Sequence, residues 1–259
     1  MKTIISIFIM AFISVNILAQ TNMLIRKTNG STFSIPLCEI DSMYYEEVPG
    51  CGTVTDYDGY VYPTITIGTQ CWMSRDLKVT HYPNGDTIPN VTDYTAWGNL
   101  GSNNVDDAYC FYNNDNTTDY GALYTYAAAI GDDWERDNTE GQGVCPDGWH
   151  LPTNEDWTTL LDYLEGETIA GGKMKEIGTT HWLHPNTGAT NSSGFTALPS
   201  GNRNYFSAGF DYLGYQGFWW SATQYNNNAY FCSVKQDNEE VNYSYGIKSY
   251  GFSIRCVKD

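Results

Sequence analysis

One stretch of the chain carries a strong helix pattern, and dense turn chemistry surrounds it on both sides. Thr153 is an N-cap residue, and Asp156 three positions later completes a capping-box pattern. Apolar residues then recur at helical spacing until Gly166 ends the pattern. The apolar stripe is Trp157, Leu160, Leu161 and Leu164. Because Gly, Asn and Asp interrupt most of the remaining chain at short intervals, the sequence predicts an α+β fold rich in strands and loops.

Short strands are predicted on both sides of this helix. Thr53-Val-Thr55 and Val61 to Ile67 flank the turn Asp56-Tyr-Asp-Gly59. This pattern predicts a hairpin whose second strand places Val61, Ile65 and Ile67 on one face. Further strand-like runs are Phe218-Trp-Trp-Ser221, Ala229 to Lys235 and Ser253 to Val257.

Two other segments precede the main helix. Tyr120 to Ile130 is rich in alanine and predicts a second, short helix. Gly98 to Asp119 is rich in Asn, Asp and Gly and predicts a long loop. The whole pattern therefore predicts two main helices and many short strands joined by long loops.

Residues 1–20 have the three parts of a secretory signal peptide. Lys2 gives a charged start, Ile4 to Leu18 an apolar run, and Ala19-Gln20 a small-residue exit. The apolar run is short for a bilayer span, and no later run is longer. We therefore expect an exported chain without a transmembrane segment after cleavage, located outside the cell, on its surface or in the periplasm.

A short β segment is expected at residues 21–48, ahead of the main domain at residues 51–259. Met23 to Lys27 and Thr32 to Leu37 read as two strands around an Asn29-Gly30 turn, and Ile40 to Tyr45 as a third. Val48-Pro-Gly50 is the expected boundary, because Pro and Gly together favour a break in regular structure.

The charge balance excludes some classes of partner. The chain has 30 acidic residues against 13 basic ones, a formal net charge of −17. Nucleic acids and anionic lipids both need a basic surface, so neither is an expected partner. Aromatic residues make up 15% of the chain, which provides more core-forming material than a disordered protein has.

The seven cysteines fit an oxidising compartment, where disulfides persist. Their spacing contains no C-x-x-C pair, so a structural zinc site is not expected. The odd number leaves at least one thiol without an intramolecular partner. Spacing alone leaves the connectivity open, since six cysteines already allow fifteen pairings.

Seven blocks, in order along the chain, resemble one family of secreted bacterial proteins. They are Tyr62 to Lys78 (YPTITIGTQCWMSRDLK), Tyr120 to Ala129, Cys145 to Thr153, Asn186 to Thr190, Gly194 to Pro199, Phe218 to Thr223 and Ser253 to Asp259. Together they resemble the Fibrobacter succinogenes major paralogous domain over about residues 51–259. The resemblance implies an extracytoplasmic domain of a kind suspected of surface adhesion or polysaccharide binding.

Two segments also resemble formylglycine-generating (sulfatase-modifying) enzymes. Trp149 to Trp157 is similar to the block that opens a helix in those enzymes, and Gly251 to Lys258 to their C-terminal block. The resemblance implies a C-type-lectin-like fold with a twisted antiparallel sheet, two main helices and long loops. Catalysis of that type would need a reactive pair of Cys232 and Cys256, but the other blocks of those enzymes are missing.

Within the main domain we expect three disulfides, with Cys38 left over. The preferred pairs are Cys51–Cys71, Cys110–Cys232 and Cys145–Cys256. The last pair is joined because both of its cysteines lie in blocks of the resemblance.

No cofactor is expected, and calcium is the one metal for which the sequence offers ligands. The loop Asn113 to Asp119 is dense in carboxylate and amide oxygens, which calcium prefers. Asp115 and Asp119 are its candidate ligands. The loop lacks EF-hand spacing, and the sugar-binding calcium motifs of C-type lectins are absent.

The predicted ligand site is a platform of exposed aromatic rings beside amides. Tyr212, Tyr215 and Tyr225 are its rings, and Asn226 and Asn227 its hydrogen-bonding groups. The alternative is that these rings pack within their own loops. The expected function is non-catalytic binding of polysaccharide or another cell-surface component, as in adhesion. The alternatives are an enzyme related to formylglycine-generating proteins and a purely structural envelope module.

Overall fold

The computed structural model describes residues 50–101, 106–131 and 141–259, and the backbone of residues 22–26 and 32–36. The chain divides into two units, Met1–Val48 and Pro49–Asp259. In the first unit, β1 (Asn22–Arg26) and β2 (Thr32–Pro36) pair antiparallel, which confirms the predicted hairpin. The predicted signal peptide, the Asn29-Gly30 turn, the third strand at Ile40 to Tyr45 and Cys38 lie outside the described residues.

The second unit has an α+β fold, as predicted. Its described strands are β3 (Thr53–Thr55), β4 (Val61–Ile67), β5 (Gln70–Met73), β6 (Tyr109–Phe111), β7 (Ala122–Tyr124), β8 (Trp149–His150), β9 (Asn202–Arg203), β10 (Phe210–Asp211), β11 (Gln216–Tyr225), β12 (Asn228–Lys235), β13 (Val241–Ile247) and β14 (Val257–Lys258). Its described helices are α1 (Tyr94–Gly98), α2 (Tyr126–Ile130), α3 (Asn154–Tyr163) and α4 (Glu167–Met174). None of these helices is long and apolar enough to cross a lipid bilayer.

Two antiparallel sheets dominate this unit. The larger has the strand order β3-β4-β5-β14-β8, and the smaller has the order β11-β12-β13. In the larger sheet β14 lies between β5 and β8, because Val257 pairs with both Trp72 and His150. A parallel bridge from Trp219 to Ser253 links β11 to the segment that leads into β14.

Helix α3 begins and ends as its sequence predicts. The Thr153 hydroxyl accepts a hydrogen bond from the backbone N of Asp156, and the Asp156 carboxylate accepts one from the backbone N of Thr153. This is a complete capping box. Gly166 follows the helix at a positive φ of 94°, and its N–H donates to the carbonyl of Leu161. Glycine adopts that conformation without steric cost.

The predicted helix from Tyr120 to Ile130 is wrong in its first half. Residues Ala122–Tyr124 form β7, because they pair antiparallel with β6, and the backbone of Tyr124 also exchanges hydrogen bonds with that of Phe252. Thr125 then caps α2 by accepting a hydrogen bond from the backbone N of Ala128. The predicted long loop from Gly98 to Asp119 also contains a strand, β6, and a short 3-10 turn.

The predicted hairpin around Asp56 to Gly59 has the strands that were expected, but one residue of its second strand is not on the expected face. Thr53–Thr55 of β3 pair with Val61–Pro63 of β4, and the rest of β4 pairs with β5. Val61, Ile65 and Ile67 were predicted to share one face; Ile65 and Ile67 are both buried, but Val61 is exposed while Tyr62 is buried. Buried residues occur consecutively at Thr64 and Ile65, so the buried face switches within the strand.

The core of the second unit comprises two large clusters of buried side chains. One surrounds Trp220, Tyr124 and Tyr126, which belong to β11, β7 and α2. The other packs α3 and α4 against the smaller sheet. Its members include Trp72, Trp157, Leu160, Leu161, Met174, Phe195, Trp219, Cys232, Val234 and Val241.

Two of the three preferred disulfides are present. Cys51 is bonded to Cys71, and Cys145 to Cys256. The predicted bridge between Cys110 and Cys232 is wrong, because both thiols are free. Cys232 is buried in the second large cluster, and Cys110 in a third, smaller cluster that includes Trp97. Cys110 lies on β6 beside Trp97, whereas Cys232 lies on β12 under the helices.

Candidate functional site

One face of the β11–β12–β13 sheet is buried in the core at one end and exposed to solvent at the other. Trp219 pairs with Cys232, and Cys232 pairs with Tyr243, so these three side chains point to the same side of the sheet. Where α3 and α4 cover this face, it is buried and apolar. Past Asn154, at the N-terminal end of α3, the same face carries tyrosines that reach solvent.

Four tyrosines on this uncovered part form a continuous row of rings, here called the tyrosine strip. They are Tyr225, Tyr230, Tyr243 and Tyr245. The rings of Tyr243 and Tyr230 are stacked with centroids 5.5 Å apart, and Tyr230 lies 6.1 Å from Tyr245. Tyr245 in turn lies 4.6 Å from Tyr225. Tyr225 is 42% exposed and Tyr245 50%, while the other two rings are half-buried.

A cleft of about 720 Å³ adjoins the strip at the N-terminal end of α3 and is here called the α3 cleft. It is lined by Gln142, Gly148, Trp149, His150, Thr153, Asn154, Glu155, Asp156, Thr223 and Asp259. Asn154 joins the cleft to the strip, because its Oδ1 accepts hydrogen bonds from the Tyr243 hydroxyl and from Ser221 Oγ. Burial raises the pKa of Tyr243, so its hydroxyl stays protonated and donates this bond.

A histidine between two carboxylates forms one wall of the α3 cleft. His150 Nδ1 lies 2.7 Å from Asp259 Oδ1, and its Nε2 lies 3.3 Å from Asp156 Oδ2. Burial lowers the pKa of His150, but the two carboxylates raise it by more, so the net shift is upward. Burial raises the pKa of Asp156, but hydrogen bonds from His150 and Thr153 lower it by more. The lining residues include carboxylates and no Lys or Arg, so the cleft is acidic.

The predicted ligand residues lie in two separate places. Tyr225, Asn226 and Asn227 are together at the exposed tip of the β11–β12 hairpin. Tyr212 and Tyr215 are also exposed, but they precede β11 at its other end. The ten-residue strand separates the two groups by about 30 Å at the rise of an extended chain. The single predicted platform is therefore not assembled.

Sequence reasoning missed three members of the tyrosine strip. Tyr230 lies in a segment that was predicted to be a strand, but it was not recognised as a ligand residue. The segment Val241–Ile247 was not recognised as a strand, although Val241, Tyr243 and Tyr245 alternate there with the small polar residues Asn242 and Ser244. That period of two is the usual sign of a strand with one apolar face. Reading it would have placed Tyr243 and Tyr245 on one side of a sheet.

The candidate calcium ligands lie in an exposed turn. Asp115 Oδ1 accepts hydrogen bonds from the backbone N of Thr117 at 2.9 Å and from its hydroxyl at 2.6 Å, so this carboxylate caps its own turn. Asp119 is exposed in the same loop. Among the described residues no three His, Cys, Asp or Glu side chains are grouped closely enough to hold a metal ion. Calcium binding through backbone and amide oxygens stays a prediction.

The cysteine pair that formylglycine-type catalysis would need is not formed. Cys256 is bonded to Cys145, and Cys232 is buried beneath the helices. Burial raises the pKa of the Cys232 thiol well above its ordinary value, which disfavours the reactive thiolate.

Comparison with known proteins identifies the family of the main domain. The model of the Fibrobacter succinogenes major domain family matches residues 65–258, about three quarters of the chain. No curated protein and no solved structure matches the chain at a significant level. The match covers the smaller sheet, α3, α4 and the tyrosine strip, and it covers the larger sheet from the last residues of β4 onward. The chain therefore belongs to the Fibrobacter succinogenes major domain family.

Proposed function

We propose that this protein is a non-catalytic, exported module of the adhesion type. It binds glycans, and the tyrosine strip is its contact surface. The observation that carries the proposal is the continuous row of four tyrosine rings on an uncovered sheet face. Sugar rings present C–H surfaces that pack on aromatic faces, while their hydroxyls bond to amides. Asn226 and Asn227 offer such amides beside Tyr225, at the tip of the same hairpin.

A C-type-lectin-like fold is part of this proposal. The two segments that resemble formylglycine-generating enzymes meet in the larger sheet, where β8 pairs with β14. Export is also part of it. Two disulfides and a secreted family agree with the expected signal peptide, since disulfides persist mainly outside the cytosol.

The test is affinity electrophoresis of the exported chain in native gels that contain soluble polysaccharides. The double variant Tyr225→Ala/Tyr245→Ala removes the two most exposed rings of the strip. We expect its affinity for the polysaccharide that retards the wild type to fall at least about tenfold, a change of roughly 1.4 kcal/mol. Its melting temperature should stay close to that of the wild type, because both side chains are exposed and lie outside the buried core clusters.

The double variant Tyr212→Ala/Tyr215→Ala is the matched control. It removes two tyrosines that are at least as exposed, at the other end of β11, and we expect unchanged retention. Loss of retention in the control alone would place the site at that end of the strand. If no polysaccharide retards the wild type, the module does not bind glycans of the kinds in the gels.

A further inference from the structure

The tyrosine strip ends where the α3 cleft begins, and one side chain belongs to both. Asn154 lines the cleft, and its Oδ1 accepts a hydrogen bond from the Tyr243 hydroxyl. Ser221 donates to the same oxygen, so the amide orientation is fixed by two bonds. With Oδ1 occupied, Nδ2 is the group left for a ligand, and it makes no hydrogen bond within the described part of the chain.

The cleft has the size and the polar groups that a run of sugar hydroxyls requires. Its volume of about 720 Å³ falls within the range of small-molecule sites, roughly 300–1,000 Å³. Beside Asn154 Nδ2, the Thr223 hydroxyl accepts from the backbone N of Asn154 and keeps its own proton free to donate. The carboxylates of Glu155 and Asp259 on the cleft wall are acceptors. Hydroxyl groups both donate and accept, so they can bond to all of these groups.

On the basis of the proposed glycan site, we infer that the glycan chain bound on the tyrosine strip continues past Asn154 into the α3 cleft, which accepts uncharged sugars and rejects uronic acids. The rejection follows from charge. Glu155, Asp156 and Asp259 line the cleft without a Lys or Arg, and His150 is already paired with two of them. A sugar carboxylate placed there would be repelled by like charges and would leave its own charge without a partner.

The first experiment changes the charge of the cleft and keeps its shape. The double variant Glu155→Gln/Asp259→Asn removes two carboxylates, and Asp162→Asn/Glu240→Gln removes two exposed ones elsewhere as the matched control. The probes are polygalacturonate, as the acidic polymer, and hydroxyethylcellulose and mannan, as the neutral ones, in affinity electrophoresis at low salt. We expect at least one neutral polymer, and not polygalacturonate, to retard the wild type. The cleft variant should gain at least threefold in affinity for polygalacturonate, and the control should not.

The second experiment tests whether the glycan reaches the cleft. Asn154→Ala should weaken binding of the neutral polymer about tenfold, whereas Tyr243→Phe, which keeps the ring and Asn154 Nδ2, should weaken it less. Unchanged binding in Asn154→Ala, together with lost binding in Tyr225→Ala/Tyr245→Ala, would overturn the continuation and leave the glycan site on the strip intact. Equal gains on polygalacturonate in the cleft variant and its control, or retention of the wild type by polygalacturonate, would overturn the charge selection. A wild type that no polymer retards would overturn both proposals.

Discussion

At the scale of single residues, Trp157 is the side chain on which the packing of α3 most depends. It is fully buried, with ring centroids 5.0 Å from Trp72 and 6.2 Å from Phe195. We expect Trp157→Ala to lower the free energy of unfolding by about 3–5 kcal/mol, as for other buried aromatic truncations. Thr153→Ala removes only the cap and should cost about 1 kcal/mol. Urea denaturation measures both.

Two conservative variants are the controls for this comparison. Trp157→Phe keeps an aromatic ring, and the indole Nε1 of Trp157 has no hydrogen-bond partner in the described structure, so it should cost less than the alanine variant. Thr153→Ser keeps the capping hydroxyl and should be nearly neutral. Equal and mild effects of Trp157→Ala and Thr153→Ala would mean that α3 does not pack on this sheet.

His150 should make the stability of the protein depend on pH. Its pKa in the folded state lies above the ordinary 6.5, so its contribution is complete below that value and is lost as pH rises through the folded pKa. The pKa of Asp156 is lowered, so its contribution is lost only as pH falls below about 3.8. His150→Gln should therefore destabilise the protein more at pH 5.5 than at pH 9. Urea midpoints of both proteins at the two pH values measure this, and equal losses would contradict it.

At the scale of elements, local signals predicted α3 correctly and failed where tertiary contacts decide the structure. The capping box and apolar stripe of α3 are complete within its own sequence. Helix α4 was missed because it contains Gly171 and Gly172, which lower helix propensity. A Cβ atom at Gly171 would lie 2.6 Å from the carbonyl oxygen of Glu240. These glycines therefore let the helix approach the β12–β13 turn, a contact that no local pattern reveals.

Only part of the candidate site was predicted from the sequence, because strand pairing, like the packing of α4, depends on residues distant in the chain. The aromatic residues and amides at the tip of the β11–β12 hairpin were recognised by their residue types. Their grouping with Tyr212 and Tyr215 failed because the strand between the two loops was expected to begin at Phe218 and end no later than Thr223, whereas β11 runs from Gln216 to Tyr225. Its register shifts between Trp220 and Gln224, and pairing with β12 then resumes up to Tyr225. A register shift of this kind lets a strand continue past residues that break the alternation of apolar and polar side chains. A prediction from that alternation therefore ends the strand too early.

At the scale of the whole molecule, the two disulfides should contribute unequally to stability. Cys145–Cys256 closes a loop of 111 residues, whereas Cys51–Cys71 closes one of 20. Loop entropy alone gives stabilisations of about 4.8 and about 3.3 kcal/mol. We expect Cys145→Ala/Cys256→Ala to lower the urea midpoint more than Cys51→Ala/Cys71→Ala does. The opposite order would show that strain or residual structure outweighs loop length in this protein.

The position of β14 between β5 and β8 determines when the larger sheet can be completed during synthesis. A nascent chain that has left the ribosome only to residue 250 contains β5 and β8, but the strand that belongs between them is missing. Cys145 is also present without Cys256, the partner to which it is later bonded. At roughly 5–20 residues per second, most of the main domain exists for many seconds before that strand is made. The larger sheet can therefore be completed only after β14 has been synthesised and has left the ribosome.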